Sequence, residues 1–377
     1  MAPQRNNLLG LTRAELEEFM ASLGEPRYRG AQLFRWIYLR GAGSFDAMTD
    51  LSLGLRSALA ERAELRSLTT VTRQTSAADG TTKFLFALDD GLRIESVLIP
   101  PSTAFRGEGA GSEDEQRRLT LCVSTQVGCP LDCAFCATAT MGFSRNLTAA
   151  EIAGQFLQAR RESGRPVTNV VFMGMGEPLM NYENVMKAAE VLSTGLGVAA
   201  QRITVSTAGW ADRIRQMGDE RRRVKLAVSL HSAVEETRRT LMPVTKRYPL
   251  PAVLDAVEHY HRRTRRRVTY EVVFFDGVND SDAELRALVR AARRVPCKIN
   301  VIPYHSIHSA GPMGLGAGLR PSPRADELVE RLRREHLTVF VRSSAGEDID
   351  AACGQLAVKD SRLAPPSRRT RPAPASA

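Results

Sequence analysis

The chain has 377 residues, 43% of them hydrophobic and 25% charged, which is ordinary for a soluble globular protein and long enough for one large domain with appendages. No apolar run approaches the roughly 20 residues of a membrane-spanning helix, and no membrane partner is expected. The formal net charge of +10 attracts polyanions, nucleic acid first, although a merely Arg-rich composition gives the same sum.

Residues 1–65 read as a small helical accessory domain. "LTRAELEEFMASLG" places Thr12 three residues before Glu15, the spacing of a capping box, and "GAQLFRWIYLRG" sets Leu33, Trp36 and Ile37 at helical intervals. The N-terminus lacks the apolar core of a signal peptide, which predicts a cytoplasmic protein whose six cysteines are reduced.

Residues 66–118 are expected to form a β extension and linker. "TKFLFALDDGLRIESVLIP" reads as two strands joined at Asp90-Gly91, followed by the polar, glycine-rich "RGEGAGSEDEQRR".

From residue 119 to 357 strand-like runs alternate with amphipathic helices: "LTLCVS", "TNVVFMG", "RITVSTAG", "VKLAVSLH", "VTYEVVFF", "KINVIPY" and "LTVFVR". Thr148 with Glu151, and Ser281 with Glu284, again have the capping-box spacing. Repeated β-α units imply a parallel sheet with helices outside it. Six or so are too few for a closed eight-fold barrel, so a partial (β/α)6 barrel is expected, with its site at the C-terminal strand ends. Residues 358–377, rich in Pro, Ser and Arg, read as a disordered tail.

The cysteines carry the chemistry. Cys129, Cys133 and Cys136 lie in "GCPLDCAFC", just beyond the first core strand. Three thiolates from one loop hold three irons of a four-iron cubane and leave the fourth iron open. S-adenosylmethionine (SAM) can fill that place through its amino and carboxylate groups. A zinc site would want a fourth Cys or His nearby, and none follows locally. The CxxxCxxC pattern, with Phe135 before the last cysteine, resembles the radical SAM superfamily.

Other strand ends agree. In "GMGEP", glycine admits close backbone approach and Glu177 offers a carboxylate for an ammonium group. Ser206 in "VSTAG", and Ser229 with His231 in "VSLHS", offer further polar groups, although hydroxyls at strand ends are often only caps. Cys297 reads as a buried structural thiol. Cys353, in "DIDAACGQL", and Cys122, seven residues before Cys129, are left as candidates for covalent thiol chemistry.

Taken together, "LCVSTQVGC", "LDCAFCATATMGFSRNL", "NVVFMGMGEPLMN", "VSTAG", "LAVSLHSA", "CKINVIPY" and "DIDAACGQL" resemble the RlmN/Cfr family of radical SAM RNA methyltransferases. The likeness runs from the N-terminal helices to about Leu356.

The resemblance implies methylation of an adenine carbon in RNA, using one 4Fe–4S cluster and SAM as both methyl donor and radical source. It implies that Cys353 takes a methyl group from one SAM and that a radical from a second SAM removes a hydrogen from that methyl. The resulting carbon radical adds to adenine, and Cys122 releases the product by forming a disulfide with Cys353. Glu95, in "RIESVLIP", matches the family's general base, whereas its position alone suggests a surface carboxylate.

Gly176, Glu177, Ser206, Ser229, Leu230 and His231 fall on SAM-binding positions, and His305 stands where the family commonly has Asn. The implied partners are an adenosine of 23S rRNA, adenosine 37 of tRNA, and an external electron donor such as flavodoxin, with the enzyme a monomer. The basic runs "ERRRVK" and "HRRTRRRV" are candidate phosphate contacts. These motifs do not separate C2 from Cfr-like C8 methylation. An RNA-binding protein with a structural cluster is the alternative of another class. A methylthiotransferase would need three further clustered cysteines.

Overall fold

The computed structural model of the chain describes residues 5–101, 105–106, 118–305 and 318–358. Apart from their edges, the polar loop before Leu119, the glycine-rich stretch after His305 and the C-terminal tail lie outside the described residues.

The N-terminal helices form where their caps predict. Helix α1 (Arg13–Ser22) starts at Thr12, whose hydroxyl accepts from the Glu15 N–H while the Glu15 carboxylate accepts from the Thr12 N–H. Helix α2 (Tyr28–Phe34) runs into a π turn, Arg35–Leu39, where the spacing predicts an unbroken helix. Tyr38 in that turn is buried; its hydroxyl accepts from the Gly10 N–H at 2.9 Å and donates to the Leu11 carbonyl at 2.9 Å. Helix α3 (Leu53–Arg62) follows, and strands β1 (Asn6–Asn7) and β2 (Ala63–Glu64) pair in parallel, bringing the two ends of the unit together.

Strands β3 (Thr69–Thr75), β4 (Thr82–Ala87) and β5 (Arg93–Ile99) form an antiparallel meander that includes the expected hairpin. β3 was not evident in the sequence, because six of its seven residues are exposed and polar or small alternation is absent. Strand β6 (Phe105–Arg106) lies at the far edge of the same sheet. β7 (Thr120–Cys122) joins β5 antiparallel and begins the core, and a small hairpin of β8 (Gln126–Gly128) and β9 (Phe143–Asn146) rises beyond it.

The core then alternates strand and helix, with one strand preceded by two helices. Helix α4 (Ala149–Ser163) leads to β10 (Asn169–Phe172), α5 (Tyr182–Thr194) to β11 (Ile203–Thr207), and α6 (Ala211–Asp219) to β12 (Lys225–Ser229). Helices α7 (Glu235–Leu241) and α8 (Leu250–Thr264) precede β13 (Val268–Val272), α9 (Asp282–Ala292) precedes β14 (Cys297–Val301), and α10 (Ala325–Arg334) precedes β15 (Val339–Arg342). β7, β10, β11, β12, β13, β14 and β15 are neighbours in that order and all parallel. The described residues thus form six βα units and a last strand, the partial barrel that the repeat predicts. Their buried Val, Ile and Leu side chains belong to one continuous core.

Of the two core caps, Thr148 makes its full box with Glu151. Ser281 accepts from the Glu284 N–H, but the Glu284 carboxylate turns away to accept from Ser232 Oγ at 2.7 Å. A buried long-range partner wins over the local one. No helix among the described residues is long and apolar enough to cross a membrane.

Candidate active site

The cysteine loop leaves the sheet between β8 and β9. Gly128 has φ +74°, and a Cβ there would lie 1.9 Å from the Gly142 carbonyl oxygen, so only glycine admits this crossing. The Cys129 N–H donates to that same carbonyl at 2.8 Å, and the Ala134 N–H donates to the Leu241 carbonyl at 2.9 Å. The loop is therefore held at both the hairpin and the end of α7.

Cys129, Cys133 and Cys136 all line one cavity at the C-terminal strand ends. Burial pushes all three thiols up, and for Cys129 and Cys133 mutual repulsion adds to it. They would ionise together only against a strong positive charge. Among the described residues no three Cys, His, Asp or Glu side chains gather closely enough for one metal ion. Separate thiols around one cavity suit a cubane, in which each binds its own iron, and do not suit a single tetrahedral zinc.

The same cavity is lined by Gly176, Glu177, Ser206, Ser229 and His231. Gly176 has φ +99°, and a Cβ would meet Gln126 Cβ at 2.6 Å. Glu177 is buried; its Oε1 accepts from the Leu179 N–H at 2.9 Å and its Oε2 from the Ala208 N–H at 2.7 Å. Burial raises its pKa and these N–H donors oppose the rise.

His231 sits at φ +55°. Its Nδ1 accepts from the Val273 N–H at 3.2 Å, which leaves Nε2 as the donor in the neutral ring. Burial lowers its pKa to about 3. Phe135, the aromatic of the cysteine motif, packs against the His231 ring at 4.3 Å between centroids. Leu230 is fully buried and does not line the cavity; its N–H donates to the Glu271 carbonyl at 3.0 Å.

A second cavity adjoins the first and contains both remaining candidate thiols, Cys122 and Cys353. Cys353 and Gly354 line both cavities. Cys122 is buried, and burial, with the nearby Cys353 thiol adding to it, pushes its pKa up to about 12. Cys353 is exposed. The Thr138 hydroxyl donates to the Leu356 carbonyl at 2.7 Å, tying the Cys353 segment to the cluster loop.

His305 lines this second cavity and not the first. Its neighbour Tyr304 faces the first, and His305 Nδ1 lies 3.0 Å from Glu347 Oε1. Glu95 lines neither cavity. It is buried rather than on the surface, 3.4 Å from Lys83 Nζ, and Lys83 also donates to the Asp350 carbonyl at 3.3 Å. Cys297 is buried as expected, and its thiol donates to the Ala292 carbonyl.

Two functional candidates escaped the sequence reading. Arg342, at the end of β15, is half-buried, lines both cavities and lies 3.9 Å from Glu271 Oε2. Glu271, at the end of β13, lines the first cavity and accepts from Asn300 Nδ2 at 3.0 Å. Their positions at C-terminal strand ends were the available signal.

Residues 6–65 match the family described as "Ribosomal RNA large subunit methyltransferase N-terminal domain", and residues 123–289 match the "Radical SAM superfamily". The dual-specificity RNA methyltransferase RlmN of Geobacter sulfurreducens is 43% identical over 95% of this chain and 94% of its own. That of Marinobacter nauticus is 42% identical over 94% and 93%. The crystal structure of a radical SAM methyltransferase from Sphaerobacter thermophilus superposes with a TM-score of 0.80 at 44% identity, covering 93% of this chain and 99% of that one.

Proposed function

The chain belongs to the RlmN family of radical SAM RNA methyltransferases, and from that premise we propose that it methylates C2 of an adenosine in 23S rRNA and of adenosine 37 in tRNA. The route is through a methylated Cys353 and a covalent protein–RNA adduct. As a radical SAM enzyme it uses a 4Fe–4S cluster and SAM, and its substrate is RNA. We assign Cys129, Cys133 and Cys136 as the cluster ligands, and Gly176, Glu177, Ser206, Ser229, His231 and the backbone at Leu230 to SAM.

The observation that carries this reading is that Cys353 borders both cavities while Cys122 borders only the second. C2 of adenine is an electron-poor amidine carbon and cannot attack a sulfonium methyl group. Cys353 can: its sulfur forms the new bond to carbon as the methyl–sulfonium bond breaks. When bound, the cluster and SAM supply a one-electron cleavage, fed by an external donor such as flavodoxin, that removes a hydrogen atom from this methyl. Cys353 then carries the reactive carbon to adenine at the mouth of the second cavity. The adduct gives up one electron to the external couple and its C2 proton to a base. The Cys122 thiolate then attacks the Cys353 sulfur and forms a disulfide. The sulfur–carbon bond breaks with its electron pair on carbon, and that carbon takes up a proton to become the methyl group of the freed base.

Arg342, half-buried beside Cys122, favours the ionised form of that thiol during release. His305 belongs in this reading to the thiol cavity rather than to SAM. Glu95 acts through Lys83 by bracing the turn before Cys353, and is a positioning residue.

Anaerobic reconstitution followed by nucleoside analysis of rRNA and tRNA tests the assignment. 2-Methyladenosine in both RNAs is expected. 8-Methyladenosine without 2-methyladenosine would overturn the regiochemistry, and unmodified tRNA would overturn the dual substrate.

A further inference from the structure

Arg238, on α7, has no exposed surface and makes no ion pair within 4.0 Å among the described residues. Its Nη1 donates to Thr245 Oγ1 at 2.6 Å, and its Nη2 to the carbonyls of Ala208 at 2.5 Å and Ser229 at 3.4 Å. Its Nε–H is buried without an acceptor. Glu235, the carboxylate one turn earlier, has its Oε2 on the Leu250 N–H at 2.7 Å. A guanidinium buried in this way is costly unless an anion compensates it.

The compensating anion has one evident place. Ala208 and Ser229, whose carbonyls Arg238 holds, both line the cavity of Cys129, Cys133 and Cys136. Negative charge at Cys133, more than at Glu235, favours the cationic form of Arg238. The N–H of Ala134, next to Cys133, donates to the carbonyl of Leu241 at the end of α7, so the loop and the helix are fastened together. Gly209 leaves the room: a Cβ there would lie 3.0 Å from Arg238 Nη2. Three thiolates outweigh the positive charge of a four-iron core, so the assembled cluster is anionic and becomes more so on reduction.

We propose that Arg238 is a positioning residue whose fixed charge, held behind the wall of the cysteine cavity, favours the reduced state of the cluster bound by Cys129, Cys133 and Cys136. The inference rests on the assignment of those three ligands. One electron passes from an external one-electron reductant to the cluster, the charge of the cluster falls by one, and no proton moves. Arg238 stays charged throughout. It therefore eases entry of the electron that starts the reaction, besides bracing the ends of β11 and β12.

The test compares the parent protein with Arg238→Gln and Arg238→Lys after anaerobic reconstitution, measuring iron content and the cluster midpoint potential by EPR-monitored redox titration. Gln keeps an N–H donor without the charge; Lys keeps the charge without the fork. The expected result is a more negative potential for the Gln variant, with the Lys variant close to the parent. A Gln variant at the parent potential, or equal shifts in both variants, overturns the inference and leaves Arg238 a brace. Should the Gln variant fail to fold, Arg238→Met, which keeps length without charge, takes its place: a potential more negative than the parent's supports the inference and an unchanged one overturns it. A parent protein that takes up no iron overturns the ligand assignment, and the inference falls with it.

Discussion

The Gly354 carbonyl accepts a 2.7 Å hydrogen bond from the Ala137 N–H, so the segment carrying Cys353 is fastened to the residue after Cys136. More than two hundred residues of chain separate the two, and one backbone bond sets the Cys353 thiol beside the cavity lined by Cys129, Cys133 and Cys136. Gly354 has φ +84°, and a Cβ there would lie 3.1 Å from the Phe135 carbonyl oxygen, which explains glycine next to this cysteine.

Cys353→Ala is expected to abolish methylation of RNA while changing stability by about 0.5 kcal/mol or less, because the thiol is exposed. Nucleoside mass spectrometry and a thermal melt check the two halves. Methylation surviving in this variant would remove Cys353 from the chemistry, whereas a parent protein that binds RNA and cleaves no SAM would support the RNA-binding alternative with a structural cluster.

Gly128→Ala places a Cβ against the Gly142 carbonyl at a left-handed backbone position. The expected loss is about 2 kcal/mol of stability, with lower iron uptake on reconstitution because the cysteine loop is displaced. Denaturant melts and iron assays measure both.

Glu95→Gln leaves Lys83 buried without its carboxylate. We expect destabilisation of about 3 kcal/mol and a loss of activity that tracks the loss of fold. An unchanged melt with turnover nearly abolished would instead make Glu95 a catalytic base.

The depressed pKa of His231, about 3 in the folded chain against about 6.5 when unfolded, has a definite sign. Between these values the unfolded state binds the extra proton, so stability falls as pH drops from 6.5 towards 3, by at most roughly 5 kcal/mol. Above pH 6.5 the residue contributes no slope. Chemical denaturation across this range should show a shallower dependence in His231→Gln than in the parent protein.

Much of the barrel was legible because its signals are local. Period-two strands, the Thr148–Glu151 cap and the Cys129–Cys133–Cys136 spacing all lie within a few residues of one another. What was not legible depends on distant neighbours. Nothing in "VEETRRTL" marks Arg238 as buried and Arg239 as exposed; that follows from how α7 packs on β11 and β12. Glu95 looked like a surface carboxylate, yet it is buried beside Lys83 of the neighbouring strand β4. His305 follows Tyr304 on alternating sides of the chain, so it faces the thiols rather than the first cavity.

The central claim is that Cys353 carries the carbon to RNA and Cys122 releases it. The most direct measurement is a denaturing gel with intact-mass analysis of Cys122→Ala after anaerobic turnover with RNA. The account predicts a covalent protein–RNA species joined through Cys353. Free methylated RNA without any adduct would contradict it.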